Sequence, residues 1–151
     1  MIFVSACLAG ENCRHDGKDC SNPLIKKLKE KGKVVAVCPE VSAGLTVPRL
    51  PCEIVGEGAG EGVLSGRAQV FNNIRGNLTA ELLKGAHAAL AAAKKNKVQL
   101  AVLKSKSAAC GVGKVFDGTF GGKLINGDGI LTALLKKEGI HVICEEDFCG
   151  I

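Results

Sequence analysis

Residues 34–38 read VVAVC, and this short run decides the fold class of the chain. Four apolar residues in unbroken succession, three of them β-branched, indicate a short buried strand. The segment before it reads as a helix, because Asn22 fits the N-cap position, Pro23 the first helical position and Gly32 the end. The run therefore predicts a strand that a helix precedes.

The same alternation of apolar runs and helical patterns extends in both directions from this strand. Further buried strands are predicted at residues 2–4, 98–103 and 140–143. Residues 79–95 repeat apolar side chains at helical spacing, and Asp128 is predicted to cap a last helix that ends at Gly139. Strands that alternate with helices predict an α/β domain with a mostly parallel, open sheet in a Rossmann-like arrangement of three layers.

The segment from residue 39 to residue 73 interrupts this regular order. Two strand-like stretches, 53–55 and 68–71, predict an inserted hairpin. The glycine-rich residues 56–62 (GEGAGEG) are interpreted as its turn, with a mobile flap as the alternative. A second inserted hairpin is predicted over residues 115–124, where Asp-Gly and Gly-Gly pairs supply turn signals.

Length and composition exclude several classes of protein. The 151 residues fit one domain, which we expect to span residues 1–146 and to leave a tail at 147–151. The net charge of +5 comes from scattered basic residues and aromatic residues are only 3%, so no DNA partner is expected. No apolar run reaches the roughly 20 residues of a membrane span, and no basic segment precedes the first apolar stretch. We therefore expect a cytoplasmic protein without a membrane partner.

Eight cysteines are the unusual feature of the composition. None belongs to a C-x-x-C pair, which argues against zinc ribbons and thioredoxin-like motifs. Cys7, Cys38 and Cys110 each follow a predicted strand, and parallel strands bring such positions to one edge of the sheet. A single cysteine in that place is more often a small buried hydrophobe. Three together predict a site for a metal or cluster whose fourth position stays open.

The remaining five cysteines are less favoured as ligands of a metal or cluster. Cys144 also ends a predicted strand and competes as a ligand. The others are interpreted as ordinary or peripheral thiols, namely Cys13, Cys20, Cys52 and Cys149.

Three motifs in order carry a family resemblance. They are SACLAGENCRHDG at residues 5–17, CPEVSAGLTVPR at 38–49 and KSKSAACG at 104–111. With these motifs the chain resembles the TudS-like thiouracil desulfidases, a bacterial and archaeal family, over nearly its whole length to about residue 146. It departs from the family at Ala108 and Ala109, where Pro and Ser are usual.

The resemblance implies a [4Fe-4S] cluster held by Cys7, Cys38 and Cys110, with the fourth iron free of protein ligands. It also implies that Glu40 is the catalytic carboxylate and Ser107 a catalytic serine. Two further polar residues of the matching motifs, Asp16 and Arg49, are expected to orient the substrate.

The activity that the resemblance implies is desulfuration of a thiolated pyrimidine to the oxo compound and sulfide, without net electron transfer. Glu40 would move protons to or from water and the ring, and Ser107 would hydrogen-bond the substrate or relay a proton. The alternative is a sulfur or cluster carrier that serves tRNA thiolation and performs no hydrolysis itself, so that thiolated tRNA is a possible partner. A zinc- or thiol-binding module is disfavoured because the chain lacks a C-x-x-C knuckle.

Overall fold

The predicted buried strands form one parallel sheet in the computed structural model, which describes residues 1–150. Its four strands are β1 (Ile2–Ser5), β2 (Val34–Val37), β5 (Leu100–Leu103) and β8 (His141–Cys144), numbered in chain order. They lie in the order β2-β1-β5-β8 and every neighbouring pair is parallel. The prediction of a mostly parallel α/β sheet is confirmed.

Of the five helices in the described residues, three lie where the sequence predicts them, and two lie in the segment 39–73, for which it predicts only a hairpin. The helices are α1 (Pro23–Glu30), α2 (Pro39–Ser42), α3 (Ala59–Ser65), α4 (Thr79–Lys95) and α5 (Ile130–Lys137). The Asn22 side chain caps α1 by accepting hydrogen bonds from the backbone N–H groups of Leu24 (3.0 Å) and Ile25 (3.3 Å). Among residues 1–150, no helix is long and apolar enough to cross a membrane.

Alternate residues of the strands bury into two separate cores, one on each face of the sheet. Phe3 and Leu103 pack with the apolar sides of α4 and α5 on one face. Val4 and Val102 pack with Ile25 of α1 on the other face. Phe148 is only 7% exposed and belongs to this second core, although it lies in the segment expected to be a tail. The two cores and the sheet give the predicted three layers.

Two antiparallel hairpins are inserted in this framework. The first pairs β3 (Cys52–Gly56) with β4 (Ala68–Asn72), and the second pairs β6 (Lys114–Phe116) with β7 (Leu124–Asn126). Residues 56–62 lie in the connection of the first hairpin, as predicted, but they contain the beginning of helix α3 and not a tight turn. Close packing explains why this helix contains glycine, because a Cβ at Gly60 would lie 2.3 Å from the Gly129 carbonyl oxygen. This tertiary contact overrides the low helix propensity of glycine.

The predicted cap of the last helix is wrong. Helix α5 begins after Gly129, and Asp128 accepts a hydrogen bond from Gly113 N–H (2.8 Å) and pairs with Lys136 (2.9 Å) instead. The first N–H groups of α5 donate to carbonyls of the loop that follows β5, with Ile130 bound to Ala108 (2.9 Å) and Leu131 bound to Ala109 (2.8 Å). The start of α5 therefore holds the loop that carries Cys110.

The order of strands creates a switch point between β1 and β5. The chain leaves β1 through α1 to reach β2 on one side, then returns through α4 to β5 on the other side of β1. The loops after β1 and β5 therefore diverge at the carboxyl edge of the sheet, which is where open α/β sheets bind their ligands.

Candidate functional site

A cavity of about 360 Å³ lies at this edge of the sheet. The three cysteines singled out from the sequence all line it. Cys7 lies in a short 3-10 helix directly after β1, Cys38 lies between β2 and α2, and Cys110 lies in the loop after β5. The parallel topology thus brings together three thiols that are far apart in the sequence.

Two further cysteines line the same cavity, although their sequence context predicts ordinary or peripheral thiols. Cys13 is buried, and its carbonyl oxygen accepts a hydrogen bond from the Cys38 thiol at 3.8 Å. Cys52, at the start of β3, is the fifth thiol of the wall. The signal for Cys13 was its position in the first motif, only six residues after Cys7. The remaining thiols, Cys20, Cys144 and Cys149, are not part of the cavity wall.

Several of the cavity thiols have a pKa above that of an ordinary thiol. Burial raises the pKa of Cys110 far above that of an ordinary thiol, and a hydrogen bond with Cys13 together with burial does the same for Cys38. The hydrogen bond with Cys38 lowers the pKa of Cys13, but Cys7 and burial outweigh it and raise that pKa to about 11. Because thiolates are the species that bind metals, loading of this site must release protons.

The spacing of the three thiols fits a cluster better than a single ion. Zinc–sulfur bonds of about 2.3 Å place the thiolates of one tetrahedral ion less than about 4 Å apart. Among residues 1–150, the only set of three ligand atoms within 4.8 Å of one another belongs to Cys144, Glu145 and Glu146, which are not in the cavity wall. Cys7, Cys38 and Cys110 are therefore spread more widely, and an all-thiol set of this kind fits an iron–sulfur cluster whose iron atoms each take one thiolate.

A buried ion pair lies beside these thiols. Glu40, in the first turn of α2, accepts a hydrogen bond at Oε2 from Nε of Arg49 at 2.7 Å, and their side chains are 18% and 8% exposed. Arg49 also donates from Nη2 to the carbonyl oxygen of Cys13 at 2.8 Å. Both residues line the cavity. Arg49 therefore fixes the direction of the Glu40 carboxylate and ties it to the loop that carries Cys13.

Ser107 lines the cavity and shapes the turn that presents Cys110. Its Oγ atom accepts hydrogen bonds from the backbone N–H groups of Ala109 (3.1 Å) and Cys110 (2.8 Å). Thr132 of α5 donates to the Cys110 carbonyl oxygen at 3.0 Å and holds the same turn from the other side. The lone pairs of Ser107 are thus engaged, and its hydroxyl proton is available to a molecule in the cavity.

Lys104 is a cation in the cavity wall that was not among the predicted site residues. Its Nζ donates to Glu145 Oε1 at 3.0 Å, and the same carboxylate accepts from the Ser105 backbone N–H (2.8 Å) and hydroxyl (2.9 Å) and from the Cys144 thiol (3.0 Å). Burial lowers the pKa of Lys104, but the hydrogen bond and charge of Glu145 outweigh it and raise that pKa. Lys104 is therefore held as a cation at the site.

Asp16 is the one predicted site residue that is not part of the cavity wall. It is exposed, accepts a hydrogen bond from Lys18 N–H at 3.0 Å and lies 3.4 Å from the Arg14 guanidinium. The hydrogen bond from Lys18 lowers the pKa of the carboxyl. The structure thus gives Asp16 contacts within its own loop.

Comparison with known proteins agrees with the motifs. A family model described as 2-thiouracil desulfurase matches residues 2–147. The uncharacterized protein YbbK of Bacillus subtilis (strain 168) is 42% identical over 151 residues, which are 100% of this chain and 99% of YbbK. A solved structure described as the [4Fe-4S]-dependent thiouracil desulfidase TudS matches with a TM-score of 0.85 and 35% identity, over 97% of this chain and 91% of that chain. The resemblance seen in the motifs is thereby confirmed, and the chain belongs to the 2-thiouracil desulfurase family.

Proposed function

We propose that the protein removes sulfur from a thiolated pyrimidine by hydrolysis. Water and the thiocarbonyl compound give the carbonyl compound and hydrogen sulfide, and no electrons are gained or lost overall. The observation that carries this proposal is the meeting of Cys7, Cys38 and Cys110 on one cavity beside the Glu40–Arg49 pair. Membership of the 2-thiouracil desulfurase family and the likeness to a thiouracil desulfidase support it.

Cys7, Cys38 and Cys110 are the residues that would hold a [4Fe-4S] cluster. Such a cluster, when bound, supplies a Lewis-acidic iron for the soft thiocarbonyl sulfur. All eight cysteines are free in the structure, as the reducing cytoplasm would keep them, and we place the protein there.

Glu40 is the proposed general base of the reaction. Its carboxylate is held by Arg49 at 2.7 Å and faces the cavity, so it can accept a proton from the attacking water. The same group then returns a proton to the departing sulfur or to the ring. Ser107 supplies a hydroxyl proton that can hydrogen-bond the substrate while its oxygen stays bound to the turn around Cys110.

Sulfide release from 2-thiouracil tests this function. The protein is loaded with iron and sulfide without oxygen, freed of excess sulfide, and assayed for both uracil and hydrogen sulfide. We expect turnover by the wild-type protein and none by Cys38→Ser, whose cluster would be lost. Absence of turnover by the fully loaded wild-type protein with any thiolated pyrimidine would contradict the proposal.

Glu40→Gln separates the hydrolase from the alternative, a sulfur or cluster carrier that serves thiolation of tRNA. The variant keeps the size of the side chain and all three proposed ligands, so its iron content and visible spectrum should match those of the wild-type protein. A hydrolase should lose at least about a hundredfold in kcat, which is the usual contribution of a general base. Unchanged turnover would count against the proton-transfer role of Glu40.

A further inference from the structure

A buried carboxylate in the cavity wall is not used by the proposed chemistry. Glu53, in β3, is 8% exposed and lines the cavity. Its Oε1 atom accepts hydrogen bonds from the backbone N–H groups of Gly118 (3.0 Å) and Phe120 (3.1 Å). Within residues 1–150, neither a hydrogen-bond donor nor a basic side chain pairs with its other oxygen, Oε2.

The second carboxylate oxygen of Glu53 is not completely buried. No buried side-chain nitrogen or oxygen in the described part of the chain lacks a hydrogen-bond partner, so an unpartnered Oε2 is not sealed inside the protein. Because Glu53 is otherwise buried and forms part of the cavity wall, we infer that Oε2 faces the cavity. A carboxylate oxygen in such a place accepts a hydrogen bond from an N–H group of a ligand.

An aromatic ring lines the same cavity as this carboxylate. Phe116, in β6, is the only phenylalanine in the cavity wall formed by residues 1–150. The turn after β6 is pressed against β3, since a Cβ at Gly118 would lie 2.6 Å from the Ile54 carbonyl oxygen. The two hydrogen bonds to Glu53 hold the same turn. Glu53 and the hairpin that carries Phe116 therefore form one continuous part of the wall.

We propose that Glu53 and Phe116 recognise the substrate as a flat heterocycle with a ring N–H group next to the thiocarbonyl carbon. Oε2 of Glu53 accepts that N–H, and Phe116 packs against the ring. This inference rests on the proposed function and narrows its substrate class to cyclic thioamides with a free ring N–H. Compounds methylated on both ring nitrogens are excluded, because the carboxylate would then face no donor.

The test uses Glu53→Gln in the cluster-loaded protein. The amide oxygen of the variant can keep both hydrogen bonds to the hairpin, while its NH2 group replaces the free oxygen and opposes the ring N–H. We expect KM for 2-thiouracil to rise about tenfold or more with a smaller change in kcat. Binding of uracil, which is unreactive and carries the same N–H groups, should weaken in parallel when followed by NMR. Glu57→Gln is the matched control, since Glu57 is exposed and not part of the wall.

Binding of two pyrimidines to the wild-type protein provides a second measurement, which does not depend on the folding of the Glu53→Gln variant. Wild-type protein should bind uracil about tenfold or more tightly than 1,3-dimethyluracil, and Phe116→Leu should weaken uracil binding. Equal binding of the two compounds, or a stable Glu53→Gln protein with unchanged KM and uracil affinity, overturns the inference. Sulfide release from 2-thiouracil by the wild-type protein decides the proposed function separately from either result.

Discussion

Arg49 joins three parts of the site through one guanidinium group. Besides Glu40 and the Cys13 carbonyl, it donates from Nη1 to the Thr46 carbonyl oxygen at 3.2 Å. A lysine keeps the charge but presents one compact ammonium group, which cannot make these contacts together. We expect Arg49→Lys to lower kcat for desulfuration about tenfold or more because the Glu40 carboxylate loses its fixed direction.

The comparison for this variant is Arg67→Lys, which changes an exposed arginine outside the cavity wall. Iron content should equal that of the wild-type protein in both variants. A kcat for Arg49→Lys equal to that of Arg67→Lys would show that Glu40 does not depend on the guanidinium.

Glu145 makes the stability of the protein dependent on pH. Burial raises the pKa of this carboxyl, but hydrogen bonds from Cys144, Lys104 and Ser105 outweigh burial and lower the pKa below the ordinary value. A carboxyl with a lowered folded-state pKa stabilises the fold above its unfolded-state pKa, and this stability is lost as the pH falls through the folded-state pKa. We expect Glu145→Gln to reduce the free energy of unfolding by about 2 kcal/mol at neutral pH.

Urea unfolding of both proteins from neutral pH down to about pH 3 measures this effect. The difference between wild type and Glu145→Gln should shrink as the pH falls, since a protonated Glu145 loses the same interactions. Glu146→Gln, a neighbouring exposed site, should show neither the loss nor the trend. A difference that stays constant over the whole range would contradict the role given to the charge.

At the scale of elements, Gly85 sets the distance between α4 and α2. A Cβ at this position would lie 2.0 Å from the Pro39 carbonyl oxygen, which is backbone and cannot turn away. Helix α2 carries Glu40 and begins directly after Cys38. We expect Gly85→Ala to destabilise the protein by about 1–3 kcal/mol through overpacking, despite the higher helix propensity of alanine. It should also lower iron content after loading.

Ala88→Gly is the matched control, on the exposed side of α4. It should cost about 1 kcal/mol through helix propensity alone and leave iron loading unchanged. If the iron content of Gly85→Ala after loading equals that of Ala88→Gly, then the close approach of α4 does not position the α2 residues.

The sequence correctly predicts those elements in which the local pattern and the tertiary contacts favour the same secondary structure. The β-branched run of β2 and the spaced apolar residues of α4 were sufficient. Helix α3 was missed because its glycines indicate a turn locally and are explained only by the close approach of Gly129. The Asp128 cap failed for a similar reason, since the loop that precedes Cys110 supplies the partners for the N-terminus of α5.

At the scale of the whole molecule, the site follows from topology more than from any local motif. Parallel strands sufficed to predict that Cys7, Cys38 and Cys110 would meet. Cys52 and Glu53 could not be predicted in this way, because they come from a hairpin strand outside the parallel sheet. The spacing of residues along the chain does not indicate that this hairpin contributes to the cavity wall.

This topology also predicts that a bound cluster stabilises the whole fold against unfolding. The proposed ligands follow three neighbouring strands, so a bound cluster ties together parts of the chain that separate on unfolding. A group that binds the folded state alone stabilises it by mass action, here by about 3 kcal/mol for tight binding, or about 10 °C in Tm. Thermal unfolding without oxygen, before and after removal of iron by a chelator, should show this difference. Cys38→Ser should abolish it and Cys149→Ser, at an exposed thiol, should keep it; an equal Tm with and without iron would mean that the three strand ends are not joined by the cluster.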